Sequence, residues 1–234
     1  MIDQLIDLDE KLLLALNGLR APFWDYFMWI VSAKLTWAAM YATLVYILFR
    51  NFSWKAAIFF VVTITLCITF ADQVSASLIR PAVARMRPSN LDNPLSEFVH
   101  ILNGKRGGRY GFPSCHAANS FALAFIILLI TKQKCISIFL MFWAILNSYS
   151  RIYLGVHYPG DLAAGMLVGI IGSTLIYYGS QAMLSSQKCQ QLIKLRDKDK
   201  ELILHPQKIE GTRSTLYIGI ATIAIIAIYA ALNI

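Results

Sequence analysis

The chain has 234 residues, of which 57% are hydrophobic and only 15% charged, with a net charge of +8. Soluble domains carry about 25% charged residues, so the composition excludes an ordinary soluble globule and points to a membrane protein. Four scattered cysteines, Cys67, Cys115, Cys135 and Cys189, lack ligand spacing, which argues against a disulfide framework or a zinc site. No cofactor and no nucleic-acid partner are expected, and the sequence sets no oligomeric state.

The N-terminal segment, residues 1–20, opens with Asp3, Asp7, Asp9 and Glu10, where a secretory signal would be basic. Leu5, Leu8, Leu12, Leu16 and Leu19 recur at three- and four-residue spacing, which predicts an amphipathic helix lying on a membrane surface. Trp24–Phe49 follows as a candidate span interrupted by Asp25 and Lys34. Charge-free apolar stretches then run through Ala56–Ala71, Ala117–Thr131, Cys135–Tyr149, Leu162–Gln187 and Thr215–Ile234. A span needs ~17–25 residues, so the last two qualify outright and the shorter ones borrow flanking polar residues. The expectation is an all-α, integral-membrane six-helix bundle with an N-terminal interfacial helix. It forms a single domain over 1–234, with the active-site region at 79–161.

With six spans the connections alternate between two faces. One face receives Arg50 and Lys55, then Lys132 and Lys134, then the 188–213 segment with five lysines and two arginines. That face is assigned to the cytoplasm by the positive-inside rule. The 79–116 and 150–161 connections fall together on the opposite, extracytoplasmic face.

Those two connections hold three short motifs. Arg80 and Arg87-Pro88 lie seven residues apart; on a helix that is about two turns, so they would share a face. Arginine offers a planar fork of donors that matches phosphate oxygens. A basic flank snorkelling to headgroups is the alternative. In Pro113-Ser114-Cys115-His116 the serine stands just before an apolar helix, as an N-cap does, where free N–H groups can hold an anion. The alternative is a simple cap with a surface histidine. In Ser150-Arg151…His157…Asp161, Pro159 suits an early helical position. Asp161, four residues beyond His157, can reach back to one ring nitrogen and leave the other a better nucleophile. A structural His–Asp pair is the alternative there.

Taken together, the motifs resemble those of the type 2 phosphatidic acid phosphatase (PAP2) superfamily, Lys-x6-Arg-Pro, Pro-Ser-Gly-His and Ser-Arg-x5-His-x3-Asp. The resemblance implies a membrane phosphatase that hydrolyses a lipid phosphate through a phosphohistidine, without a metal. It assigns nucleophilic attack to His157, orientation of that ring to Asp161 and leaving-group protonation to His116. Arg80, Arg87, Ser114, the Cys115 backbone and Arg151 would bind the phosphoryl group. Two positions depart from the pattern: Arg80 replaces lysine and Cys115 replaces glycine. Undecaprenyl pyrophosphate and lipid A are the expected substrates, in a bacterial inner membrane. A lipid phosphotransferase, a vanadium haloperoxidase and a non-catalytic lipid-phosphate binding or transport protein are the competing functions. The 89–110 stretch, with His100, Lys105, Arg106 and Arg109, would either cover the site or form a solvated basic loop.

Overall fold

In the computed structural model, which describes residues 2–234, all the regular structure is helical apart from one isolated bridge between Met86 and Tyr110. Helix α1 (Ile2–Asn17) leaves Ile2, Leu5, Leu8 and Leu12 exposed and buries Leu13 and Asn17. The Asn17 amide donates to the carbonyls of Ile152 and Tyr153, both at 3.0 Å, and to that of His100 at 3.1 Å. One side chain thus satisfies backbone groups that a helix end leaves unpaired.

The segment expected as one span at 24–49 is two helices, α2 (Pro22–Val31) and α3 (Ala38–Asn51), separated by a tight turn at Lys34–Trp37 and bent by 71°. Side chains take up carbonyls freed at the break. Thr36 Oγ1 donates to Ile30 O at 2.7 Å and Trp37 Nε1 to Val31 O at 3.0 Å. Helix α4 (Trp54–Gln73) widens into a π-helical turn at Val74–Ile79 before the short α5 (Arg80–Val83). Pro81 offers no N–H and its ring crowds the preceding turn, and a wider turn relieves both demands. Ala84, left-handed at φ 50°, ends the segment.

Helices α6 (Cys115–Thr131), α7 (Lys134–Tyr153) and α8 (Pro159–Ser185) form the centre of the bundle. Glycines let α8 lie directly on α6. A Cβ at Gly165 would fall 2.5 Å from Ser114 O, and one at Gly169 only 2.4 Å from Ala118 O. Small residues at such a seam are how helices pack closely in lipid. Two short helices, α9 (Gln187–Ile193) and α10 (Asp197–Leu204), lead to α11 (Thr212–Leu232), which packs against α2 and α3.

Four segments are long and apolar enough to cross a membrane: Trp54–Val83, Lys134–Tyr153, Pro159–Ser185 and Thr212–Leu232. The bent α2–α3 pair makes up to five. Helix α6 is apolar but has 17 residues, and six spans require it to cross as well.

Candidate active site

The turn after α7 carries the third motif. Gly155 sits at φ +75°, and a Cβ there would lie 2.7 Å from His100 O, so the turn tolerates no side chain. Pro159 opens α8, and the Asp161 carboxylate turns back toward the helix start. Its Oδ2 accepts from the Tyr158 amide at 3.2 Å and from His157 Nδ1 at 3.0 Å. His157 is only 1% exposed. Its other nitrogen, Nε2, lies 2.7 Å from Arg87 Nη1. A guanidinium only donates, so Nε2 carries the lone pair and Nδ1 the proton. Burial, followed by the charges of Arg87, Arg151 and Arg80, holds the imidazole well below its ordinary pKa. His157 is therefore a neutral base with a defined tautomer.

The first motif converges on the same ring by a different route from the expected one. Arg80 lies on α5, but Arg87 is not two turns further along that helix. The helix stops at Val83, and residues 85–87 run antiparallel to 109–111. Arg87 N donates to Arg109 O and Gly111 N to Arg85 O, each at 2.9 Å. The Arg87 guanidinium is then fixed by Tyr110 O and Val156 O, both at 3.1 Å. Burial and the neighbouring Arg80 lower its pKa, yet an arginine remains charged. Gly111 has to be bare, because a Cβ there would sit 2.9 Å from Asp161 Oδ2 and 3.0 Å from Arg87 Cγ.

Arg80 Nη2 donates to Pro113 O and to Cys115 Sγ, each at 2.9 Å, while its Nε is buried without a partner among the described residues. Arg151 donates through Nη1 to Ser32 Oγ at the α2–α3 bend and also keeps a buried, unpartnered Nε. Ser114 occupies the N-cap position of α6, but its hydroxyl makes no capping bond. Its Oγ is buried with no partner among the described residues, and its amide donates to Asp161 O at 2.9 Å. Two guanidinium donors and one hydroxyl thus remain unspent around His157. Buried polar groups are normally paired, and three convergent donors of this kind could be satisfied by an oxygen-rich anion. His116, in the first turn of α6, lines a cavity of about 540 Å³ together with Cys115 and Lys34. Arg151, His157, Lys34 and Arg87 all lie within electrostatic reach of it.

Two members of the constellation were missed in the sequence. Arg85 Nη1 donates to Asp161 Oδ1 at 3.3 Å and to Asp9 Oδ2 at 2.6 Å, with its guanidinium 3.7 Å from the Tyr158 ring centre. Asp9 Oδ1 also accepts from the Gly160 amide at 2.7 Å. Arg85 had a signal, since residues two apart on extended chain share a face and Arg87 was already a candidate. Asp9 had none. In the 89–110 stretch Gly107 lies against the Arg87 side chain and Arg106 Nη1 donates to Ser89 O at 2.6 Å. Among the described residues, no group of three or more His, Cys, Asp and Glu side chains is gathered to hold a metal ion.

Residues 56–184 match the PAP2 superfamily. The chain belongs to the PAP2 superfamily. It is 46% identical over 232 residues to the lipid A 4'-phosphatase of Bacteroides thetaiotaomicron, covering 98% of each chain. It is 35% identical over 176 residues to the lipid A 4'-phosphatase of Porphyromonas gingivalis, covering 75% of this chain and 74% of that one. The crystal structure of Aquifex aeolicus LpxE superposes with a TM-score of 0.56 at 27% identity, covering 72% of this chain and 93% of the other. Membership of this family and the apolar helices make the chain a membrane protein.

Proposed function

We propose that the protein is a lipid phosphatase that removes a phosphate from a lipid A-type glycolipid through a phosphohistidine at His157. The observation that carries this is the His157 ring. Asp161 holds Nδ1–H at 3.0 Å, and the lone pair of Nε2 points at a guanidinium 2.7 Å away. A phosphoryl group bound by Arg87 would draw the guanidinium N–H onto its own oxygen and free the Nε2 lone pair to meet the phosphorus. The N–P bond forms as the P–O bond to the sugar breaks, and His116 gives its proton to the departing oxygen. Neutral His116 then accepts a proton from water, which attacks the phosphohistidine and releases inorganic phosphate. Arg80 Nε, Arg151 Nε, Ser114 Oγ and the free amides that open α6 supply donors for the charge that builds on the oxygens. Preorganised donors of this kind dominate such catalysis.

Three aspects of this reading go beyond family membership. Lipid A as substrate, at its 4' phosphate, is supported by the similarity to two lipid A 4'-phosphatases over 98% and 75% of this chain. A cytoplasmic-membrane location with the site facing outward is supported by the basic end of the bundle. There the turn at 51–54, the turn at 132–134 and the 188–211 segment are bonded to one another through Asn51–Glu210, Ser53–Asp199 and Gln133–Ile209. Independence from metal is supported by a site made of arginines and imidazoles.

The test is phosphate release by purified protein in detergent micelles with EDTA present, from lipid A, undecaprenyl pyrophosphate, phosphatidylglycerophosphate and phosphatidic acid. Release from lipid A that His157→Ala abolishes is the expected result. Release that stops on adding EDTA would contradict the metal-free mechanism. No release from any lipid by folded protein would move the reading to phosphate transfer or lipid transport.

A further inference from the structure

The cavity that begins at His116 continues along α3, α4, α6 and α7 past Leu44, Val61, Ile64, Leu123 and Trp143. That wall suits a hydrocarbon chain. One side of the cavity is different, because Asp72, Asn119, Ser120 and Asn147 also line it. Asn119 and Ser120 stand three and four residues after His116, so they lie one helical turn below it on the same face.

Asp72 belongs to the Trp54–Val83 span. No cation lies within salt-bridge distance of it among the described residues; its one recorded partner is the Asn119 amide, which donates to Oδ1 at 3.0 Å. A carboxylate at membrane depth with only a neutral partner is costly, and such groups are functional by default. The polarity of what is left is equally specific. Asn119 spends a donor on Asp72, and Asn147 Nδ2 donates to Ser120 Oγ at 2.7 Å. The oxygens Asp72 Oδ2, Asn119 Oδ1 and Asn147 Oδ1 have no hydrogen-bond partner among the described residues, and Asn119 Oδ1 is buried as well. These oxygens are acceptors, so a ligand that satisfies them must bring donors. The second N–H of Asn119 and of Asn147, and the Trp143 Nε1–H, unpartnered among the described residues, are left for an acceptor such as an amide carbonyl.

We infer that Asp72 and Asn147 form a selectivity shelf that reads hydroxyl or amide N–H groups of the lipid one turn below the transferred phosphate. This rests on the reading of the site as a lipid phosphatase. An acylated amino-sugar phosphate presents such donors next to its phosphate. A polyprenyl phosphate presents only hydrocarbon there, and a diacylglycerol phosphate presents ester carbonyls, which can pair with the amide N–H groups but bring no donor for the carboxylate. The shelf therefore favours the first class and leaves an unpaired carboxylate against the other two, which is an energetically asymmetric form of discrimination.

The experiment compares the wild-type protein with Asp72→Leu, Asp72→Asn and Asn147→Leu in a competition assay. Lipid A and undecaprenyl phosphate are offered together in mixed micelles. The leucine variants are expected to shift the ratio of kcat/KM by about tenfold toward the polyprenyl lipid, with Asp72→Asn shifting it less because its amide oxygen still accepts. Equal losses on both lipids would overturn the inference, because Asp72 would then serve proton supply or helix packing. An unchanged ratio would overturn it as well. Binding gives an independent reading, because Trp37 and Trp143 line the same cavity and report its occupancy by fluorescence. If the wild-type protein releases no phosphate, the phosphatase reading fails, whereas weaker binding of lipid A by Asn147→Leu at equal polyprenyl binding still supports the shelf. Equal binding of both lipids by wild type and variants would sink it.

Discussion

At the scale of single residues the site depends on what each side chain is prevented from doing. Arg87 is held by two carbonyls through Nε and Nη1, which aims the second N–H of Nη1 at His157 Nε2 and leaves Nη2 for a phosphoryl oxygen. Lysine keeps the charge but has a single ammonium that cannot span three acceptors. Arg87→Lys is expected to lower kcat/KM for lipid phosphate by roughly 10²–10³-fold, without loss of folded protein. A change below about threefold would mean that charge alone suffices. Cys115 makes the opposite case. Its thiol accepts from Arg80 Nη2, which Pro113 O also holds, so Cys115→Gly loses one of two anchors. That variant is expected to keep most of its phosphate release, and a complete loss would make the thiol essential. The same scale sets the acid side of the pH profile. His157 takes up a proton less readily than a free imidazole because burial and three arginines disfavour its cation. It therefore stays neutral and nucleophilic as pH falls through about 6.5, the ordinary histidine value. The loss of kcat/KM due to the nucleophile is expected below that pH, since kcat/KM reports the free enzyme. A midpoint at or above 6.5 would contradict the environment described for the ring.

At the scale of elements, α1 is bonded to the candidate site as well as to the bundle's edge. Asp9 divides its carboxylate between Arg85 and the Gly160 amide, and Arg85 divides its guanidinium between Asp9 and Asp161. Removing the charge on Asp9 turns Arg85 wholly toward Asp161. That weakens the hold of Asp161 on His157 Nδ1–H and makes Nε2 less basic. Asp9→Asn is expected to lower kcat about tenfold, with little change in KM, and to move the acid limb to lower pH; Asp9→Glu is expected to restore part of the rate. A fall in thermal stability with kcat and the pH profile unchanged would reduce the contact to a structural one. This link explains what could and could not be read from the chain. The His157–Asp161 pair is set by a four-residue spacing and a proline, both visible locally. Asp9 and Gly160 are joined across 151 positions, and no local pattern announces such a contact. The helix expected to carry both Arg80 and Arg87 failed for a local reason that composition hides. Ala84 takes a left-handed conformation, uncommon for a residue with a side chain, and the chain then pairs with Tyr110 rather than continuing as helix. The 71° bend between α2 and α3 was equally hidden, because the carbonyls it frees are taken up by Thr36 and Trp37, residues ordinary in any apolar stretch.

At the scale of the whole molecule the two ends are built on different principles. One end leaves donors unpaired around the candidate site, and the other ties its connecting segments to one another through hydrogen-bonded polar groups. Asp199 is the clearest instance at the basic end. Its carboxylate accepts from the Ser53 amide at 2.8 Å, where α3 passes into α4, and from Arg196 through backbone and side chain at 2.9–3.3 Å. Burial alone would raise this carboxyl, but the bonds from Arg196 and Ser53 outweigh it and hold the group down at about 2. An unfolded aspartate titrates near 3.9, so the folded state binds its proton less readily than the unfolded one. The stabilisation is therefore complete above about pH 4 and is lost as pH falls towards 2. Asp199→Asn keeps the shape but replaces a charged acceptor with a neutral one. It is expected to lower the thermal midpoint at pH 7, with the gap to wild type closing below pH 4, while kcat per folded molecule on lipid phosphate stays the same. A drop in kcat at an unchanged midpoint would show that the basic end communicates with His157, and the division of labour between the two ends would have to be abandoned.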